Sequence, residues 1–395
     1  MADLHYDPYD YEVDADPHPT WRRMRDEAPL YRNDEFDFYA LSRFHDVLEA
    51  SLDAATYSSA YGTVLDLMQD EPGLSPMMIF QDAPEHTRLR KLVSRAFSPR
   101  RIAELEPRIR DIARGYLEPL RDAASFDYVA DFGAKLPVMV IGAMLGVPVE
   151  DQGEIRELTD EMLHRDPEQK DPMAHHERIT QQLFGYFARY IADRRARPRD
   201  DMMTDLVQAE IEGEDGSKQQ LSDEQILAFI SLLSGAGNET VARLLGWVGV
   251  LFARHPGERR RLVEAPERIP NAVEELLRYE APSPVQARRT MRDTEWHGHT
   301  LPAGSKLLLL TGSAGRDDRK YPDPDRFDVT RQFDRHVALG YGAHFCIGAS
   351  LARMEGRVAI EETLRLFPQW EIDEVGLERV HTSTVRGFSR VPIRF

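Results

Sequence analysis

The chain has a single cysteine, Cys346, among 395 residues. An internal disulfide is therefore impossible, and nothing calls for an oxidising compartment. No run of eighteen apolar residues occurs, and Met1 to Asp16 is acidic and tyrosine-rich instead of basic then apolar. Both a transmembrane helix and a secretory signal are excluded on that pattern, so a cytoplasmic location with no membrane anchor is expected. Positive charge is also short: 50 Lys and Arg against 68 Asp and Glu leave −18, the opposite of a phosphate-binding surface, and no nucleic-acid partner is expected. Internal repeats and low-complexity linkers are missing, so 1–395 reads as one domain.

What is present is ordinary globular material, 42% hydrophobic and 30% charged residues, enough for a sizeable core. Up to about Arg261 the apolar residues recur at three- and four-residue spacing between short Pro- or Gly-containing breaks, which predicts a mainly α protein. Strand-like runs are confined to Pro29–Leu41, Trp296–Leu310 and the tail Trp370–Phe395, predicting small sheets at one side. The class is therefore mainly α with small β-sheets (α+β). Tyr61 to Gln81 reads as a long irregular loop of the kind that forms lids or binding elements. The longest helix signal starts at a capping box, Ser222 with Gln225, and ends at His255-Pro256. More than thirty residues long and strongly apolar, it is expected to cross the centre of the protein. One stretch, His86 to Arg121, carries ten Lys and Arg against four Asp and Glu, either a solvated helical face or a docking surface for an acidic partner.

Two segments carry chemistry. Inside the long helix lies Gly235-Ala236-Gly237-Asn238-Glu239-Thr240, where two glycines each cost roughly 1 kcal/mol relative to alanine. Glycine lets another body approach the backbone, and the Glu-Thr pair adds an acid and a hydroxyl to an apolar helix. The bland reading is a kinked helix with a solvated Glu. A phosphate loop is rejected because no strand precedes it. The second segment is Leu339-Gly340-Tyr341-Gly342-Ala343-His344-Phe345-Cys346-Ile347-Gly348, followed by a helical pattern from Ile347 to Phe367. Cys346 thus falls at a helix N-terminus, where thiol pKa is expected to drop and the sulfur to serve as ligand or nucleophile. His297 with His299, and the adjacent His175-His176, lack convincing zinc spacing.

The cysteine loop resembles the haem-binding signature of the cytochrome P450 superfamily, soluble bacterial type: Phe-x-x-Gly-x-x-x-Cys-x-Gly followed by Ala-Arg, with Leu339 in place of the phenylalanine. Three further segments match in order. Glu275-Leu276-Leu277-Arg278 resembles the Glu-x-x-Arg element, and with Tyr321 to Phe327 downstream the resemblance implies a structural triad of Glu275, Arg278 and Arg326. Asp82 to Arg90 reads as a capped helix start with His86 and Arg90 on one face. The resemblance implies that this pair, with Arg288 and His344, binds the haem propionates; Arg289 competes with Arg288. Ala236 to Thr240 resembles the oxygen-binding segment Ala-Gly-x-Glu-Thr, which implies that Thr240 hydrogen-bonds dioxygen, that Glu239 relays protons, and that Ala236 and Gly237 border the cofactor.

The resemblance implies a single-domain P450-like fold, with the long helix over haem b (iron protoporphyrin IX) and the Cys346 loop beneath it. It implies a monomeric monooxygenase of secondary metabolism that oxidises an apolar or amphipathic small molecule with O2. Electrons would arrive from a ferredoxin and ferredoxin reductase, received by Arg88, Arg90, Lys91 and Arg95 together with Arg353 and Arg357. Substrate contacts are expected from Tyr61 to Phe80, near Ile230 and Ala236, from Pro284 to Ala287 and near Phe388. Three rivals stand beside this reading: a peroxide-driven haem enzyme, a non-enzymatic haem sensor, and a cysteine nucleophile assisted by His344.

Overall fold

Three- and four-residue apolar spacing produces what it predicts: about 53% of the chain is helical, with small sheets. The structure is a computed structural model that describes residues 4–395 except 74, 95, 149, 152, 156, 159–171, 213–215, 333 and 383–384. The helices used below are α1 (Glu85–Val93), α2 (Lys135–Leu145), α3 (Asp223–Arg254), α4 (Ile269–Tyr279) and α5 (Ala349–Leu366).

Helix α3 organises the rest. Its capping box is made as the sequence predicts: Gln225 N–H donates to Ser222 Oγ (3.2 Å), and Ser222 N–H donates to Gln225 Oε1 (3.1 Å). Every residue from Val241 to Phe252 is buried. A helix apolar on all sides cannot sit at the surface, and α3 runs through the main core with α2, α4 and α5 packed around it. Close approach is bought by small residues: a Cβ on Gly356 of α5 would lie 3.3 Å from both Leu244 of α3 and Val273 of α4.

The main sheet has strands β1 (Leu30–Asn33), β2 (Phe38–Leu41), β3 (Tyr57–Ser58), β4 (Gln286–Thr290) and β5 (Lys306–Leu309), in the order β1-β2-β5-β4-β3. β5 runs parallel to β2 and the other pairs are antiparallel. Leu307 of β5 faces Arg288 and Lys306 faces Arg289, so the two arginines project to opposite faces of the sheet. A three-stranded sheet joins the tail (Glu371–Ile372 and Pro392–Arg394) to Ser125–Asp127. Strand β3, strand β4, Ser125–Asp127 and the hairpin Glu210–Glu212 with Lys218–Gln220 lie outside the three predicted strand regions. Most of these pieces are too short for alternation to register. Among the described residues, the loop from Tyr61 to Gln81 is irregular as expected, broken only by turns of 3₁₀ helix at Leu65–Leu67 and Met78–Phe80.

Candidate functional site

The cysteine loop is shaped by glycine. Gly340 and Gly342 both adopt φ of 69°, and a Cβ on Gly342 would come within 2.4 Å of Ser51 O. Larger residues are therefore excluded at Gly342 by both conformation and space. Cys346 N–H donates to Leu339 O (2.9 Å), closing the loop. Helix α5 begins at Ala349, two residues later than the pattern suggests. The expected drop in thiol pKa is not realised. Burial raises it, and this outweighs the Gly348 amide, Arg90 and Arg353, which pull it down. A metal cation bound at the sulfur would favour the thiolate.

Around this loop the structure gathers His86, Arg90, Arg288 and His344. The rings of His86 and His344 lie 4.2 Å apart at 36°. Arg90, one turn beyond His86 on α1, donates to Phe345 O (2.6 Å). Arg288 is buried, and desolvation lowers it to about 10 against the charge of Asp82; among the described residues its side chain donates only to the carbonyl of Ala287 (2.7 Å). Burial, then the charges of Arg288, His86 and Arg90, push His344 down to about 3. His86 Nε2 is buried with no hydrogen-bond partner among the described residues, a deficit worth about 1–3 kcal/mol unless an acceptor meets it. The competitor Arg289 points elsewhere, toward Asp70 (3.9 Å) and over the Tyr61 ring. Asp82 does not cap α1 with its side chain as the sequence suggests. It accepts from Ser59 N–H (3.0 Å) and Ser58 Oγ instead, pinning that loop.

On α3, Ala236 and Thr240 share a face, and the Thr240 hydroxyl donates to Ala236 O (2.7 Å). Glu239 is engaged by Arg243, Nε to Oε2 at 3.0 Å and Nη2 to Oε1 at 3.2 Å. Gly237 meets a body other than the expected one: its absent Cβ would lie 2.5 Å from Ile141 Cδ1 of α2, so its smallness is used in helix packing. Asn238 is buried, with Oδ1 unpartnered among the described residues. None of these α3 residues makes a hydrogen bond or ion pair with the His86–Arg288 cluster among the described residues.

The bracing triad needs one correction. Glu275 and Arg278 are fully buried and bidentate, at 2.6 and 2.8 Å, but the third member is Arg331, Nε to Glu275 Oε1 at 3.2 Å. Arg326 is 61% exposed, faces Asp328 at 3.6 Å, and contributes its backbone carbonyl to Arg331 (2.8 Å) and Arg278 (3.4 Å). Arg331 also holds Pro322 O (2.5 Å) and Asp323 O (2.9 Å), so the triad ties α4 to the segment preceding the cysteine loop. Sequence reasoning also misses Glu274, which binds Arg353 (2.6 Å) and His336 (3.0 Å) and is held down to about 2 by them against its own desolvation. No motif singles it out.

A family model described as Cytochrome P450 matches residues 40–392. The chain belongs to the cytochrome P450 family. It is 44% identical over 394 residues to the putative cytochrome P450 123 of Mycobacterium tuberculosis, covering 99% of this chain and 97% of that one. It is 37% identical over 385 residues to a vitamin D(3) 25-hydroxylase of Pseudonocardia autotrophica (95% and 93% covered). Among solved structures, the P450 PksS of the Bacillus subtilis bacillaene polyketide synthase superposes with a TM-score of 0.90 at 31% identity, covering 99% of both chains. The protein is thus a P450 monooxygenase, and the cofactor of the family is haem.

The residues fit that cofactor. Haem b brings two carboxylates, and the cluster around the cysteine loop holds the buried Arg288 and the half-buried Arg90, is poor in acids, and leaves His86 Nε2 unmet. Buried charge of one sign with an unsatisfied donor is stable only beside a partner of the other sign. Among the described residues no group of three His, Cys, Asp or Glu could hold a metal. His297 pairs with Asp46 (2.7 Å), and the side chains of His175 and His176 lie outside the described residues.

The basic stretch proves largely self-neutralised. Arg88 pairs with Glu85, Arg100 with Glu104, Arg101 with Asp200 and Asp205, and Arg121 with Glu118. Arg110 and Arg114 both bind the buried Glu362. Arg357 lies between Glu106 (2.5 Å) and Glu361 (3.1 Å). Arg95 lies outside the described residues; Lys91 and Arg108 are exposed, with no ion pair among the described residues. Of the expected substrate-contact segments, three meet at one cavity: Val64 to Asp66, Pro284 with Val285, and Val385 with Arg386. Ile230 and Phe388 do not line it, being fully buried core residues. No helix among the described residues is long and apolar enough to cross a membrane.

Proposed function

We propose that residues 1–395 act as one monomeric, cytoplasmic haem-thiolate monooxygenase domain that oxidises, most often hydroxylates, an apolar or amphipathic small molecule. Electrons would be supplied one at a time by a ferredoxin and its reductase. The observation that carries the reading is the convergence of the buried His86 and Arg288 and the half-buried Arg90 and His344 on the loop of the single cysteine. In this assignment Cys346 ligates the iron, the four cationic or imidazole side chains hold the propionates, and Ala236 borders the cofactor on the side of Thr240. Haem with a thiolate ligand supplies the electron push that favours O–O cleavage.

The protein's own part is to place protons and exclude water. The Thr240 hydroxyl proton is committed to Ala236 O, so toward the oxygen site Thr240 would offer oxygen lone pairs, which can accept from a water or another proton-bearing oxygen group. Glu239, the adjacent acid, is the proton carrier. This pair favours dioxygen over peroxide as oxidant, because peroxide already brings both electrons and protons. An apolar or amphipathic substrate is what the family implies; the cavity shared by Val64, Leu65, Val285 and Val385 also carries Asp14, Asp66 and Arg386 and none of the residues around Cys346 or Thr240. The relatives include one named for vitamin D(3) and one named for a polyketide synthase, which supports that breadth and no single compound.

The electron source is tested by the rate at which reduced ferredoxin reduces the holoprotein under carbon monoxide. Lys91→Glu, which reverses an exposed charge with no ion pair among the described residues, is expected to slow this roughly three- to tenfold at low ionic strength, with the difference fading as salt is raised. An unchanged rate for both Lys91→Glu and Arg108→Glu excludes this face. Turnover with hydrogen peroxide but with no ferredoxin would favour the peroxide-driven alternative.

A further inference from the structure

Arg243 belongs to none of the motifs, yet it joins two parts of the site. Through Nε and Nη2 it engages both carboxylate oxygens of Glu239, one turn back on α3. Through Nη1 it donates to the backbone carbonyl of Phe388 in the C-terminal turn. The Glu239 and Arg243 side chains are only 16% and 10% exposed, so water competes weakly for the pair. A carboxylate with both oxygens bound to a guanidinium is poorly placed to pass on a proton. The turn that holds Arg243 is itself fitted to it: a Cβ on Gly387 would lie 2.9 Å from Arg243 Cβ and 3.1 Å from Cδ. One end of the turn is fixed by Arg386 N–H on Pro282 O (2.8 Å), and the Phe388 ring packs on Trp247, 4.8 Å between centroids. Val385 and Arg386, at the start of the same turn, line the cavity shared with Val64, Leu65, Pro284 and Val285.

We propose that Arg243 is a positioning residue for Glu239: it holds the carboxylate in an ion pair tethered to the C-terminal turn, and a ligand that displaces Val385–Phe388 loosens the tether and frees the acid. This rests on the proton-carrying reading of Glu239 given above. The tether keeps proton delivery low until substrate presses on the turn, and so limits the futile reaction in which dioxygen takes two electrons from NADPH and two protons to leave as hydrogen peroxide.

The test uses the haem-loaded full chain with no substrate, measuring peroxide released with NADPH, ferredoxin and its reductase, together with amide hydrogen exchange over residues 385–388. Arg243→Gln, and Gly387→Ala, which pushes on Arg243 without removing it, are each expected to raise peroxide release about fivefold or more and to speed exchange in the turn. Arg243→Lys, which keeps a cation beside Glu239, should stay near the wild-type rate. In the Glu239→Gln/Arg243→Gln double variant the rise should vanish. Faster exchange with unchanged peroxide release would reduce Arg243 to a support for the turn and overturn the proposal. So would a rise that survives in the double variant, since Arg243 would not then act through Glu239. Failure of the haem-thiolate reading shows separately, in the spectrum of the wild-type protein.

Discussion

Arg278→Ala is expected to destabilise the protein by about 3–5 kcal/mol, because it strands the carboxylate of Glu275, fully buried, without its bidentate partner. The same change removes the donors to Gly315 O and Pro324 O, which adds unmet carbonyls to an uncompensated charge. Arg331→Ala should have the same sign with a smaller size, since Glu275 keeps the bidentate Arg278. Arg326→Ala should cost less than about 1 kcal/mol, as expected for an exposed pair. Urea unfolding midpoints of the three variants, each in the haem-loaded state, decide the matter. A cost for Arg326→Ala equal to that for Arg278→Ala would contradict the triad seen here.

Thr240→Ala is expected to lower product formed per NADPH at least tenfold, the difference appearing as hydrogen peroxide, while oxygen consumption continues. Tenfold corresponds to about 1.4 kcal/mol of lost preference for the productive branch. The Thr240 hydroxyl already donates to Ala236 O, so its removal subtracts only that bond and the acceptor offered to the oxygen site, and the helix loses little. Thr240→Ser retains that oxygen and should recover most of the coupling. The measurement is the ratio of product and peroxide to NADPH with the first substrate found to be hydroxylated. Unaltered coupling in the alanine variant would remove Thr240 from the mechanism, and unaltered ligand binding with no turnover in any variant would favour a haem sensor.

How much of this was legible in the sequence differs by kind of residue. Helix α3 was readable from cap to terminus, because Ser222, Gln225 and Pro256 act within one turn and the apolar run between them is long. The cysteine loop was readable because its glycines answer to local geometry, with positive φ at Gly340 and Gly342. Arg288 could not be separated from Arg289 without the sheet, since a one-residue shift reverses the face and only the pairing with β5 fixes it. The triad misled for a similar reason. Arg326 and Arg331 both follow the same segment, and long-range burial, which spacing does not encode, selects Arg331. The basic stretch from His86 to Arg121 misled in another way: much of its charge is cancelled by acids far along the chain, such as Glu361 and Glu362. Thiol pKa was misjudged because helix position was weighed and desolvation was not. Arg243 was passed over because its second partner is a backbone carbonyl 145 residues away, which no side-chain pattern announces.

The most direct test of the central claim is the absorption spectrum of the purified, reduced protein with carbon monoxide, recorded for wild type and for Cys346→Ala. The account predicts a strongly red-shifted Soret band in the wild type that is lost in the variant. An absent haem spectrum, a band at the position given by histidine ligation, or a red-shifted band that persists in Cys346→Ala would contradict it.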